Sequence, residues 1–275
     1  MPKLSVLIPT FNHSKFIVQM LEGVLMQQTS FDFEIVIGDD ASTDDNQLII
    51  KDFALRFPEK IRAFLHPKNL GPTEPRELGG KNNVAFLFSE CRGEYIALCE
   101  GDDYWTDPLK LQRQVDFLNN NPIYALCHHQ LEVVYEDNSP KHSFNPENQR
   151  DMSSIEDLLM DNSWFVGTAS TVFRNVFKTG MPDWWWKSAS GDLGIFIEVA
   201  RHGKIKYLPE TMGGYRKHRG GMTNIHTPQN LFFLKNRMEM FANLDQYFAY
   251  QYSEILEKTV RKYQTEIDRL AMILQ

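Results

Sequence analysis

Three short acidic runs are spaced along the chain where chemistry could be done. They are Gly38-Asp39-Asp40-Ala41-Ser42-Thr43-Asp44, Glu100-Gly101-Asp102-Asp103, and the pair Gly191-Asp192. Carboxylates gathered at one edge repel each other unless a cation or hydrogen-bond donors offset them. Hard oxygen ligands with open positions suit magnesium or manganese bridging substrate phosphates. A cluster of opposite sign, Tyr215, Arg216, Lys217, His218 and Arg219, could meet a leaving diphosphate as its charge develops. Plainer readings stand beside each. Asp39 and Asp40 could be a turn with a helix cap, which accounts for Ser42 or Asp44 but poorly for two adjacent acids before them. Asp102 and Asp103 could be a loop before a helix, and the basic cluster a solvated strand end.

The elements around these runs decide between the readings. Leu4 to Ile8 is a continuous apolar run and reads as a buried parallel strand that ends in Pro9, Thr10, Phe11 and Asn12. Phe33 to Ile37, Ile61 to Leu65 and Tyr95 to Cys99 read as three more strands, and amphipathic stretches near 15–28, 45–57 and 82–91 read as the helices between them. Alternating strands and helices make β-α-β units and a mostly parallel sheet, an α/β fold. In such sheets ligands bind beyond the carboxyl ends of the strands. Two acidic runs follow the second and fourth strands at that edge, and their joint placement points to function more strongly than either alone. Thr106 or Asp107 can cap the next helix, and Pro108 suits its first turn. A strand at Tyr124 to Tyr135, a helix near Ile155, a strand near Thr171 and a helix from Asp192 to His202 follow.

The runs SVLIPTFN, EIVIGDDASTDD and GEYIALCEGDDYWTDPLKLQRQVDFL resemble the inverting, GT-A-fold family-two glycosyltransferases, which use nucleotide sugars. The resemblance is close over residues 3–120 and looser, through SGDLGIFIEVARHGKIKYLPE and GGYRKHRGG, to about 222. It implies a GT-A domain over 1–222, with a nucleotide-binding half at 1–120 and an acceptor half at 121–222, and leaves 223–275 as a helical extension. Carried over by position, Pro9, Thr10, Phe11 and Asn12 would line the base and ribose pocket. Asp40 would accept from a uracil-like ring nitrogen, with Asp39 beside it. Asp102 would lie near ribose and metal, Asp103 would ligate the metal (Mn2+ or Mg2+), and Arg216 and His218 would lie near the diphosphate, or His218 on the metal. The family's usual aspartate two residues before Asp102 is Glu100 here, and Ala41 replaces a more frequent glycine, a small change expected to matter little. Asp192 matches the catalytic base, since an acceptor hydroxyl must lose a proton as it attacks the anomeric carbon. At a helix start it would be held ionised by N–H groups and the helix dipole, and it could also cap the helix.

Composition limits the partners. A formal charge of -7 argues against nucleic acid. Three widely spaced cysteines, Cys91, Cys99 and Cys127, fit a reducing compartment, and no stretch approaches the length needed to span a bilayer. The expected setting is cytoplasmic, with a peripheral place at the inner membrane face left open. Trp184, Trp185 and Trp186 could stack on an acceptor sugar or touch a membrane interface. His128 and His129 lack a second ligand cluster at zinc spacing and read as strand residues. In the tail, Leu256, Val260, Tyr263, Ile267, Leu270 and Leu274 form a heptad-like seam expected to pack on a second copy, giving a homodimer, or on the catalytic domain.

The expected function is transfer of a sugar, UDP-linked by preference, to a hydroxyl of a glycan or lipid-linked saccharide in surface polysaccharide synthesis. A sugar-nucleotide pyrophosphorylase is disfavoured because residues 4–14 contain no glycine for a phosphate loop. A non-catalytic nucleotide-sugar-binding or scaffold protein is disfavoured by the joint presence of Asp102, Asp103 and Asp192.

Overall fold

The computed structural model describes residues 1–161 and 164–273. The first half is built from β1 (Leu4–Thr10), α1 (Ile17–Leu25), β2 (Phe33–Asp39), α2 (Asn46–Arg56), β3 (Ile61–Leu65), α3 (Lys81–Glu90) and β4 (Tyr95–Leu98). After these come β5 (Tyr104–Trp105), α4 (Lys110–Asn120), β6 (Tyr124–Tyr135), β7 (His142–Ser143), β8 (Met152–Ser153) and α5 (Ile155–Leu159). The chain continues through β9 (Val172–Arg174), α6 (Gly191–Ala200), β10 (Lys204–Lys217), α7 (Leu231–Tyr247) and α8 (Ser253–Ile273).

One sheet runs in the order β3-β2-β1-β4-β9-β6-β10-β5. The first four of these strands pair in parallel, as the β-α alternation requires. Beyond β4 the sheet is mixed, because β9 runs antiparallel to both β4 and β6, whereas β10 returns parallel to β6. The sequence expectation of a mostly parallel sheet therefore holds for the first half only. The short β9, expected near Thr171, lies between β4 and β6 and runs antiparallel to both, a direction that the apolar pattern of a strand does not state.

Successive strand residues point to opposite faces, which gives two apolar cores. Val6 and Ile8 join Ile17 and Met20 of α1, Ile50 of α2 and Val115 of α4 on one face. Leu7 faces the other way, into a core shared with Leu87 of α3, Leu158 of α5, Phe196 of α6, Phe241 of α7 and Tyr263 of α8. The last two helices are thus part of the second core. The tail's seam is buried within the same chain at Leu256, Tyr263 and Ile267. Thr259 of α8 donates its hydroxyl to the Leu159 carbonyl at 2.7 Å, fixing the helix against α5. Leu274 lies outside the described residues. Among the described residues, no helix is long and apolar enough to cross a membrane.

Candidate active site

The loops after β1, β2 and β4 are tied together before any ligand is considered. Asn12 adopts a φ of 57°, and its Oδ1 accepts the Thr43 N–H at 2.7 Å while its own N–H donates to Ser42 Oγ at 2.8 Å. Asp39 is fully buried and accepts four hydrogen bonds, from the Ser42 N–H and hydroxyl, Asn46 Nδ2 and Gln47 Nε2. All its stronger acceptor directions are taken by the protein, so it builds the loop instead of facing the cavity. Asp40 does face the cavity, and its Oδ1 accepts the Leu70 N–H at 2.7 Å. Burial pushes its carboxyl up, and the Leu70 hydrogen bond opposes this. Ala41 takes a φ of 63°. From the sequence this alanine reads as a small change. In the left-handed region, however, a side chain costs about 1 kcal/mol that glycine avoids.

Gly101 sets how closely the β4 loop approaches the β1 loop. A Cβ there would stand 2.3 Å from Thr10 Oγ1 and 2.8 Å from His13 Nδ1. This contact brings His13 to Asp102. Asp102 Oδ2 lies 2.9 Å from His218 Nε2 and 3.7 Å from His13 Nε2. Burial pushes the Asp102 carboxyl up, but the His218 hydrogen bond and the charges of both histidines outweigh it and hold it below its ordinary value. Burial lowers His13, and the Asp102 charge opposes this.

One ligand atom each from His13, Asp102 and His218 lies within 4.8 Å of the other two. The set fits a divalent ion. Asp103, expected as a direct ligand, is placed differently. It is buried, its Oδ1 accepts the Arg216 N–H at 2.8 Å, and its Oδ2 has no hydrogen-bond partner. Burial, with Asp102 and Glu100 nearby, raises its carboxyl well above the usual range. It therefore fastens β10 to the β4 loop. His13 escaped the sequence reading, although a histidine one residue past Asn12 was the available signal.

Arg216 lines the cavity, but its side chain is held by the protein. Nε donates to the Asp102 carbonyl at 2.8 Å, Nη2 donates to Gln19 Oε1 at 2.7 Å, and the guanidinium lies over the rings of Phe16 and Tyr104.

The cavity beyond these loops has a volume of about 480 Å³. Pro9, Thr10, Phe11 and Asp40 line one part of it, and Trp164, Trp185, Asp192 and His226 another. Asp192 is the second residue of α6, and its Oδ1 accepts its neighbour's N–H from Leu193 at 2.8 Å. Its carboxyl is nevertheless raised, because burial outweighs that hydrogen bond. A helix start alone would give the opposite balance. A raised carboxylate is the stronger base for a hydroxyl proton. Glu100 also lines the cavity, and burial together with Asp102 and Asp192 pushes it up to about 8. Of the three tryptophans, Trp185 is buried against the cavity, Trp184 packs on Tyr247, and Trp186 is exposed. His128 and His129 are buried core residues, the former pushed down to about 3 by burial.

The family model described as glycosyl transferase family 2 matches residues 5–179, more than half of the chain. The chain belongs to glycosyl transferase family 2. It is 35% identical over 249 residues to an uncharacterized protein of Mycobacterium bovis, covering 88% of this chain and 67% of that one. An uncharacterized glycosyltransferase of Nostoc sp. is 31% identical over 229 residues, covering 78% of this chain and 65% of its own length. The chain thus spans about two thirds of these relatives. Among solved structures, Staphylococcus aureus TarS bound to UDP-GlcNAc superposes with a TM-score of 0.63 at 18% identity, covering 88% of this chain and 66% of TarS. The mannosyltransferase PcManGT of Pyrobaculum calidifontis, in complex with GDP-Man and Mn2+, also gives 0.63 at 16% identity, covering 98% and 73%. The fold of this glycosyltransferase is GT-A: a mixed, curled sheet flanked by helices.

Proposed function

We propose that this enzyme moves a sugar from a nucleoside diphosphate sugar, with UDP favoured, to a hydroxyl of a glycan or lipid-linked saccharide, with inversion. The observation that carries the reading is a single cavity lined by Asp40, Asp102 and Asp192 together. Asp40, in contact with the Leu70 backbone, leaves one carboxylate oxygen free of that contact to meet a base ring N–H. His13, Asp102 and His218 would hold the manganese, which supplies charge to offset a departing diphosphate. Asp192 takes the proton from the acceptor hydroxyl as that oxygen attacks the anomeric carbon from the face opposite the leaving group. The apolar walls at Trp164 and Trp185 exclude water and offer ring faces to an acceptor sugar. TarS holds UDP-GlcNAc and PcManGT holds GDP-Man with Mn2+, which supports a nucleotide sugar and a metal without choosing the base. Surface polysaccharide synthesis at the cytoplasmic side, with peripheral membrane contact, is the setting that best suits such an acceptor.

The test is Asp192→Asn, assayed for transfer and for binding of UDP and GDP with manganese. Transfer should fall about a hundredfold or more while nucleotide binding holds. Near-parental transfer would remove Asp192 as the base. Equal binding of GDP and UDP would remove the role given to Asp40.

A further inference from the structure

Lys81 begins α3 and is buried, being only 5% exposed. An ammonium group buried to this degree is costly unless hydrogen bonds and nearby electron density offset the loss of water. Here the acceptors all belong to one short segment. Nζ donates to the carbonyls of Trp185 and Ser188 and sits 4.3 Å from the centre of the Trp185 ring.

That segment leads directly into the helix carrying Asp192. Trp185 Nε1 donates to the Gly191 carbonyl at 2.7 Å, and the Gly194 N–H donates to the Ser190 carbonyl at 3.0 Å. On the opposite side of Lys81, α3 is locked to the donor half. Asn83 Nδ2 donates to the Gly38 carbonyl at 2.8 Å, and Asn82 Nδ2 donates to the Leu70 carbonyl at 2.7 Å. Gly38 immediately precedes Asp39 and Asp40, and Leu70 is the residue whose N–H holds Asp40. A continuous path of hydrogen bonds therefore runs from the Asp40 loop through α3 and Lys81 to the turn before Asp192.

We propose that Lys81 is a positioning residue, which fixes the Asp192-bearing segment relative to the bound donor. This rests on the reading of Asp192 as the base. A methionine would fill the same space at lower cost, so the burial of an amine with two carbonyl partners is explained by the geometry it enforces. Lys81 also lines the cavity, which makes direct contact with the donor the competing role.

The test is Lys81→Met, with turnover per folded molecule, donor affinity by calorimetry, and hydrogen exchange measured together. Displacing a catalytic group by about an ångström costs on the order of a hundredfold in rate. Turnover should therefore fall about tenfold to a hundredfold. Donor affinity should stay within about threefold of the parent, as expected when uniform binding is untouched. Amides of 185–194 should lose protection while those of β1 and β2 keep theirs. Unchanged turnover would overturn the proposal, and so would a loss of donor affinity equal to the loss of turnover. Should the methionine variant not fold, Lys81→Arg decides the question through the same two numbers, because the larger guanidinium must push the segment outward. Asp192→Asn run in parallel separates the two ideas. Parental transfer by that variant sinks the base assignment, whereas lost transfer there with parental turnover in Lys81→Met sinks only the positioning role.

Discussion

Gly101→Ala tests how the metal-binding set is assembled. The new Cβ would start 2.3 Å from Thr10 Oγ1, 2.7 Å from Thr10 Cβ and 2.8 Å from His13 Nδ1. Ordinary contacts of this kind are about 3.5 to 4 Å, so the two loops must part by about an ångström. Thr10 cannot simply rotate away, because its Oγ1 accepts from Asn46 Nδ2 at 3.0 Å. His13 therefore moves off Asp102, from which it is already 3.7 Å. Overpacking of this kind costs about 1 to 3 kcal/mol of stability on its own. The more telling effect is on the ion. Disturbing the support of a metal ligand typically lowers affinity about 10- to 100-fold. With manganese at about 100 times the parent dissociation constant, the parent gains about 2.7 kcal/mol. A hundredfold weaker site at the same concentration gains only about 0.4 kcal/mol. For a chain of this size the difference is about 5 to 9 °C in melting temperature. Thermal melts of parent and variant, each with and without manganese, read both effects separately. A variant that melts lower but keeps the full manganese-dependent rise would refute the claim that close approach of these loops builds the site.

Ala41→Gly should stabilise the protein by about 0.5 to 1 kcal/mol, because relief of the left-handed strain exceeds the added freedom of the unfolded chain; denaturant unfolding checks this, and a loss of stability would contradict it. Lys110 is fully buried, its Nζ lies 4.0 Å from the Trp105 ring centre, and burial pushes it down to about 7. The unfolded chain then binds more protons than the native one between pH 7 and the ordinary lysine range, so this residue makes stability rise with pH there by up to about 1.4 kcal/mol per unit. Lys110→Met should remove that rise, and identical pH profiles for parent and variant would refute the argument. Leu256→Ala should cost about 2 to 5 kcal/mol while leaving the light-scattering mass unchanged, because its side chain is buried within the same chain; a change of mass would revive a dimer seam.

Much of the donor half is legible in the sequence because its signals are local. Strand runs such as Leu4 to Ile8 and Phe33 to Ile37, each followed by a polar loop, state both the element and the edge where ligands gather. The long strand Tyr124–Tyr135 can be read with its observed bounds. What stays hidden depends on distant parts of the chain. Nothing near Asp39 announces that Asn46 and Gln47 will occupy its carboxylate, or that Asp103 will turn to the Arg216 N–H. The direction in which Asp192 is shifted stays hidden for the same reason: the helix start is visible in sequence, but the burial that outweighs it is tertiary. His13 gains significance only when the close approach at Gly101 brings it to Asp102.

The shared core of the first strand and the last helices has a consequence for how the chain is made. Leu7 and Ile267 belong to the same buried cluster. During synthesis β1 to β4 can pair as soon as they emerge, and α1, α2 and α4 can cover one face of that sheet early. The opposite face is covered only in part, by α3, α5 and α6, until α7 and α8 are free of the ribosome. Between the emergence of β4 and that of α8 the nascent chain therefore carries a partly uncovered apolar sheet face, which makes it a substrate for chaperones that bind extended apolar surface. Mutations in α8 should accordingly lower yield in cells more than they lower the stability of the purified protein.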